Sequence, residues 1–336
     1  MKVSVIVKFS ISLLLAGVIF YFVFKTVSFE EFWDRLFEVN YWWVILSMLL
    51  AWFSHVLRAI RWELMLTPLG YPVKVTRIFH ALMSGYLANL AFPRLGEVTR
   101  CGILKKTNDV PITLSFGTVV VERLLDLGFL ISLMILDLII EFDRVFEFFK
   151  SAVKWEERGF DLGHILIMSA AIIGLGLLSM YAIKRMLRKE FSNPILIKVT
   201  QKLQELIAGF LSIRNVSNLP LFIVCSIGIW VCYFLMSFVI FFSIPETSDL
   251  GIGAGLSILA AAGVAMATPV QGGIGAYHFL VSQVLIIYGI DVETSKFFAF
   301  LLHTSQVIFV IVIGGISFVI ASFISKKKPT DLAPQS

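Results

Sequence analysis

Long apolar runs dominate the chain, and polar positions gather between them. A helix needs roughly 20 apolar residues to cross a bilayer. Six segments meet or approach that length: about 6–24, 41–60, 111–140, 164–183, 219–243 and 297–324. Two further apolar segments are interrupted. One, about 78–104, carries Pro93, Arg94, Gly96, Glu97 and Arg100. The other, about 252–289, carries Pro269, Gly272, Gly273 and Gly275. The pattern predicts an all-α polytopic membrane protein with six spans and two broken or re-entrant helical segments. The first run, Phe9–Phe24, follows Lys2 and Lys8 and continues as Phe24-Lys25-Thr26-Val27 without a small-residue cleavage site. It reads as an uncleaved span.

Loop charges set the expected orientation. Basic residues prevail in 58–77, in 184–218 and in the tail at Lys326, Lys327 and Lys328. Acids prevail in 25–40, 141–163 and 244–251. The positive-inside rule then places both termini in the cytoplasm. Arg77 precedes segment 78–104, and Lys105 and Lys106 follow its core, so both its ends are expected inside. Asp249 precedes segment 252–289 and Asp291 and Glu293 follow it, so both its ends are expected outside. The order of elements repeats with the opposite sense. This gives two inverted-topology repeats, each with three spans and one re-entrant or broken helical segment, as in many secondary transporters. Both breaks place Pro and Gly three apart, in Pro93-Arg94-Leu95-Gly96 and Pro269-Val270-Gln271-Gly272. Residues 1–183 hold the first through fourth spans, with the first repeat at about 6–140. Residues 184–218 form a cytoplasmic linker in which Val199, Leu203, Leu206, Ile207 and Phe210 follow amphipathic helical spacing. Residues 219–325 complete the second repeat, which begins at about 164, and 326–336 form a cytoplasmic tail.

Composition agrees with this reading. Of 336 residues, 58% are hydrophobic and 15% charged, against about 45–50% and about 25% in a soluble domain. A soluble enzyme, a disordered chain and a nucleic-acid-binding domain are poor fits. The net charge of +5 is read as Lys and Arg retained on the cytoplasmic side of a plasma-membrane protein, not as a nucleic-acid footprint. Cys101, Cys225 and Cys232 have no metal-ligand spacing and read as buried single thiols.

The informative residues are charges inside the apolar segments. The first break carries Arg94, Glu97 and Arg100, and the span after it carries Glu122, Arg123 and Asp126. One central charge costs about 2.5–3.5 kcal/mol, so six facing lipid would cost on the order of 15–20 kcal/mol. They must face one another or a wet cavity. Arg94, Arg100 and Arg123 balance Glu97, Glu122 and Asp126 in sign. Glu97 and Arg100 are three apart, and Glu122 and Asp126 are four apart, so each pair can share a helix face. Two readings stay open. The charges lock the broken segment onto the span, or the arginines recognise a phosphate while acids hold them in position.

The second break is uncharged, with Gln271, His278 and Gln283, and its following span carries His303 and Gln306. Gly272, Gly273 and Gly275 allow close backbone approach. A half-helix starting near Gly275 would aim free N–H groups at an anion. Its histidines serve either proton relay or helix-to-helix hydrogen bonding. The candidate substrate-binding set is therefore Arg94, Glu97, Arg100, Glu122, Arg123, Asp126, Gln271, Gly272, Gly273 and His303. His55, Arg58 and Arg61 sit three apart near the cytoplasmic end of the second span, and Arg58 and Arg61 are expected to reach headgroups or snorkel. No catalytic constellation, zinc spacing or Walker motif is visible, so no catalytic residue, metal or cofactor is expected.

Four motifs occur in order: Arg58-Ala59-Ile60-Arg61-Trp62, Pro93-Arg94-Leu95-Gly96-Glu97-Val98-Thr99-Arg100, Glu122-Arg123-Leu124-Leu125-Asp126 and Pro269-Val270-Gln271-Gly272-Gly273-Ile274-Gly275. Together they resemble the flippase-like membrane domain of lysylphosphatidylglycerol synthases and its stand-alone relatives, over nearly the whole chain. The resemblance implies a lipid flippase without the soluble synthase domain, since the chain stops soon after the last span. It implies an anionic phospholipid or polyprenyl-linked lipid as partner, with the Arg/Glu cluster as its site. Two other functions are weighed: an intramembrane lipid-modifying enzyme with Glu97, Glu122 or Asp126 as base, and a non-catalytic partner of a lipid-synthesis or envelope enzyme.

Overall fold

The computed structural model describes residues 29–92, 94–142, 144, 201, 204, 216–268 and 270–324. The expected spans at about 6–24 and 164–183, nearly all of the 184–218 linker and the 326–336 tail lie outside these residues. The described helices are α1 (Phe29–Glu38), α2 (Tyr41–Leu66), α3 (Val75–Ala91), α4 (Leu95–Asn108), α5 (Ile112–Ile140), α6 (Leu219–Phe238), α7 (Ile252–Ala267), α8 (Ala276–Ile287) and α9 (Val292–Phe323), with no strand among the described residues. Three stretches, Tyr41–Leu69, Leu219–Ser243 and Val292–Phe323, are long and apolar enough to cross a membrane. Helix α5 has 29 residues, about 44 Å at 1.5 Å per residue, but its middle carries three charges. Its Ile131, Ile135 and Ile139 are exposed, as are Ile308, Ile311, Val312 and Ile316 of α9. Such faces suit lipid, where every backbone polar group is already satisfied within the helix. The protein is a multi-pass membrane protein.

The ends of the helices follow from local chemistry. Asn40 caps α2 by accepting from Trp42 N, and Asn218 caps α6 by accepting from Leu221 N. Asp291 caps α9 through Glu293 N and Thr294 N. Burial pushes its carboxyl up, but those amides and the Arg35 charge outweigh burial and hold it below the usual carboxylate range. Arg35 also donates to Thr294 Oγ1 at 2.7 Å, which ties α1 to the start of α9.

Both interrupted segments are antiparallel helical hairpins, spanning 75–108 and 252–287. At the open end of the first, Arg77 donates to the Thr107 carbonyl at 3.3 Å. At the open end of the second, Ser257 and Tyr288 hydroxyls meet at 3.1 Å. The first hairpin turns at Arg94, which adopts φ 65°, and Asn89 Oδ1 accepts from Gly96 N at 2.7 Å. Here α3 and α4 nearly touch: a Cβ on Gly96 would lie 2.1 Å from the Gly85 carbonyl oxygen. The second turns through Gly272, Gly273 and Gly275, all at positive φ, where a side chain would be strained.

The two tips meet. Gln271 Nε2 donates to the Ala91 carbonyl at 3.2 Å, and Gly272 lies over Leu90. Around them, α2 packs on α6, α9 on α3, and α5 on α7. The packed pairs α2–α3, α3–α4, α4–α5 and α3–α9 have exchanged counterparts in α6–α7, α7–α8, α8–α9 and α7–α5. Polar contacts repeat in the same way. Ser257 of α7 bonds Asp137 of α5 at 2.7 Å, while Ser317 of α9 meets His80 of α3 at 3.1 Å.

Two outcomes are expected in detergent melts. Gly96→Ala should cost about 1–3 kcal/mol or more through overpacking. Gly102→Ala in the same helix meets nothing within 4 Å and should be neutral or slightly stabilising. The Asp291 contribution should be fully present above its unfolded pKa of about 3.9 and disappear as pH falls through its lower folded value. Asp291→Asn keeps an N-cap oxygen and should flatten the acid limb of the melting-temperature profile.

Candidate functional site

The α2, α4 and α5 helices bring five charged side chains together. Arg58 and Arg61 are three apart on α2, and Glu122 and Asp126 are four apart on α5, so each pair lies on one face. Glu122 lies ten residues into α5, about 15 Å from its start. Arg100 comes from α4, beyond the first tip. Arg58 Nη1 binds Glu122 Oε1 and also Asp126 Oδ2, the latter at 2.7 Å. Arg61 Nη2 binds Asp126 Oδ1 at 2.8 Å, with Glu122 Oε1 at 3.5 Å. Arg100 Nη1 takes the other oxygen of Glu122 at 3.0 Å. Arg58, Arg61, Arg100 and Glu122 are all at most 3% exposed.

Neighbours hold this cluster in shape. The Arg100 guanidinium stacks on Trp62 at 4.6 Å, and Trp62 Nε1 donates to Thr118 Oγ1 at 2.8 Å, fixing the indole plane. Arg58 Nη2 donates to the Tyr233 hydroxyl at 2.9 Å, which ties in α6. Among the described residues three arginines face two carboxylates, which leaves one positive charge in excess. Donors remain to match it: Arg58 Nε, Arg61 Nε and Nη1, and Arg100 Nε and Nη2 are buried with no hydrogen-bond partner among the described residues.

A second ion pair flanks the cluster. Arg123 Nη2 binds Glu97 Oε1 at 2.6 Å, with Arg123 half-exposed and Glu97 more covered. Both line a narrow crevice between α3, α4 and α5, together with Tyr86, Asn89, Gly96 and Arg100; it has no room for a water molecule.

At the second tip, His303 Nε2 donates to the Gly272 carbonyl at 2.7 Å. The Gly275 N–H donates to His278 Nδ1, and the two imidazoles lie 4.8 Å apart. Gln271, His278 and His303 are buried. Gln306 Nε2 donates to Ser47 Oγ at 3.0 Å, a helix-to-helix bond. Among the described residues no group of three side chains could hold a metal ion.

The expected set is thus divided. Glu97, Arg100, Glu122, Arg123 and Asp126 come together. Gln271, Gly272, Gly273 and His303 form the opposing tip. Arg94 is exposed at the first turn and takes no part in the ion pairs, so it does not belong to the expected charge balance. Glu97 and Arg100 do not pair with each other either. The α4–α5 crossing gives Glu97 to Arg123 and Arg100 to Glu122. Arg58 and Arg61 neither snorkel nor reach headgroups; they turn inward because two carboxylates on α5 face them. Their three-residue spacing inside an apolar run was the available signal. Trp62 and Tyr233 carried none.

The family model described as lysylphosphatidylglycerol synthase TM region matches residues 5–314. The chain belongs to this family. Two UPF0104 membrane proteins of Methanocaldococcus jannaschii are similar to it. One is 30% identical over 129 residues, 38% of each chain. The other is 26% identical over 249 residues, 73% of this chain and 97% of the relative. The first match thus spans well under half of that relative. No solved structure matches. The family is the membrane region of a lipid synthase.

Removing one buried partner strands the others. Glu122→Gln should destabilise by about 3–5 kcal/mol, because three guanidinium groups share that carboxylate. Arg123→Gln, at a half-exposed pair, should cost at most about 1 kcal/mol. Thermal unfolding of the two purified variants against wild type measures the contrast.

Proposed function

We propose that the protein moves an anionic phospholipid or polyprenyl-linked lipid between the leaflets of the plasma membrane, with both termini cytoplasmic. One observation carries the reading: two helical hairpins meet tip to tip beside a buried cluster that lacks one negative charge. An anionic headgroup supplies that charge, and a guanidinium fork suits phosphate oxygens. Arg100 and Arg123 border the crevice and are the headgroup contacts. Glu122 and Asp126 hold Arg58, Arg61 and Arg100 in place. Arg94, exposed at the first tip, meets the arriving headgroup. Gln271, Gly272, Gly273 and His303 form the opposing wall.

The exchange of packed pairs between halves supports an inverted repeat with one hairpin entering from each side. Rocking of one half against the other would then separate the tips and expose the crevice alternately. Glycines at the second turn leave its backbone free to adjust. Membership in a lipid-synthase membrane family supports a lipid as cargo. Among the described residues no nucleophile–base pair sits at the cluster, so no observation favours headgroup chemistry.

The test uses proteoliposomes with fluorescent phosphatidylglycerol and a membrane-impermeant quencher. Wild type should speed loss of inner-leaflet fluorescence, and folded Arg123→Ala should lose most of that gain. No gain over protein-free vesicles would sink the transport reading. Full activity in Arg123→Ala would move the headgroup contact away from this crevice.

A further inference from the structure

The crevice at the start of α4 already holds an anion, and that anion belongs to the protein. Glu97 is the third residue of α4, where the helix dipole favours negative charge. Its Oε1 binds Arg123 Nη2, while its Oε2 is buried with no partner among the described residues. Arg100 lines the same crevice. It is 2% exposed, and its Nε and Nη2 atoms are unpartnered. Positive character therefore converges from the α4 N-terminus, from Arg123, from the spare donors of Arg100 and from the excess charge of the deeper cluster. Glu97 answers it incompletely, because it pairs with Arg123 while Arg100 pairs with Glu122.

We propose that this crevice is a binding site for a lipid phosphodiester and that Glu97 is its resident occupant, displaced when the phosphate enters. The inference rests on the lipid reading above and deepens it. A tetrahedral phosphodiester offers two non-bridging oxygens, one for Arg123 and one for the free donors of Arg100. The phosphodiester takes the place of the displaced carboxylate at the arginines, so neither guanidinium is left without an anion. The crevice has no room for a water molecule with Glu97 in place, so entry and departure are coupled. Glu97 thereby keeps the arginines neutralised when no lipid is bound and competes with weak ligands.

The test is calorimetric titration of the full chain in mild detergent with dihexanoylphosphatidylglycerol, with inorganic phosphate as the free anion and dihexanoylglycerol as the phosphate-free control. Glu97→Gln should bind dihexanoylphosphatidylglycerol about tenfold more tightly than wild type, a shift of about 1.4 kcal/mol. Glu97→Asp should return toward wild type. Arg100→Gln and Arg123→Gln, placed in the Glu97→Gln background, should each abolish that gain. Affinity for dihexanoylglycerol should not respond to Glu97. Should Glu97→Gln fail to fold, Glu97→Ser carries the same expectation. Unchanged or weaker lipid binding in the Glu97 variants overturns the proposal, because Glu97 would then be a ligand contact or a structural partner of Arg123. Tight binding of inorganic phosphate without binding of the short-chain lipid overturns the lipid assignment. Failure here is separable from failure of the transport reading. A Glu97 effect on binding with no lipid movement in vesicles keeps the site and removes the transporter. Lipid movement with binding indifferent to Glu97 does the reverse.

Discussion

Three guanidinium groups and two carboxylates share one dry pocket between apolar helices, and the surrounding fold has to respect them. A buried ion is tolerable only when its partners sit at hydrogen-bond distance, and removing one partner leaves several kcal/mol uncompensated. Arg58, Arg61, Arg100, Glu122 and Asp126 therefore set the register of α2, α4 and α5 against one another. Sliding α5 by one residue would turn Glu122 about 100° away from the arginines. Trp62 and Tyr233 extend the constraint, one by stacking beneath Arg100 and the other by tying α6 to Arg58.

The contact between the hairpin tips is of another kind. Among the described residues it includes one neutral side-chain hydrogen bond, from Gln271 to the Ala91 carbonyl, and Leu90 against Gly272. A neutral hydrogen bond contributes about 1 kcal/mol net, far less than breaking the ion cluster costs. The molecule therefore has a stiff part within α4 and a more separable part at the end of α3, side by side. Motion that opens the tips need not disturb the arginines. Gly85 and Gly96 make the first hairpin stiff through backbone contact, whereas the three positive-φ glycines leave the second turn adaptable.

This division suits a lipid-handling family. In the transport function proposed above, a headgroup needs a charged seat that does not collapse and a path that opens only in passing. The excess positive charge lies on the stiff side, and the exposed Arg94 stands at the boundary. Glu97 links the two, since it belongs to the first turn of α4 and closes the crevice onto Arg123.

Much of this was legible along the chain. The apolar runs determined where helices lie, because lipid demands length and apolarity that few other patterns supply. Pro93, Gly96, Pro269 and Gly272 marked both breaks. The cost of intramembrane charge alone required that Glu122, Arg123 and Asp126 find partners. Which partners they found was decided only in three dimensions. Hydropathy reports how deep a residue lies, not which way around its helix it points. Arg58 and Arg61 have the same spacing whether they snorkel to headgroups or turn inward, and only the packing of α2 against α5 settled it. Glu97 and Arg100 share a helix face, yet the angle at which α4 crosses α5 gave each a different partner. Likewise the meeting of Gln271 with Ala91 joins residues far apart in the chain, and no local pattern encodes that distance.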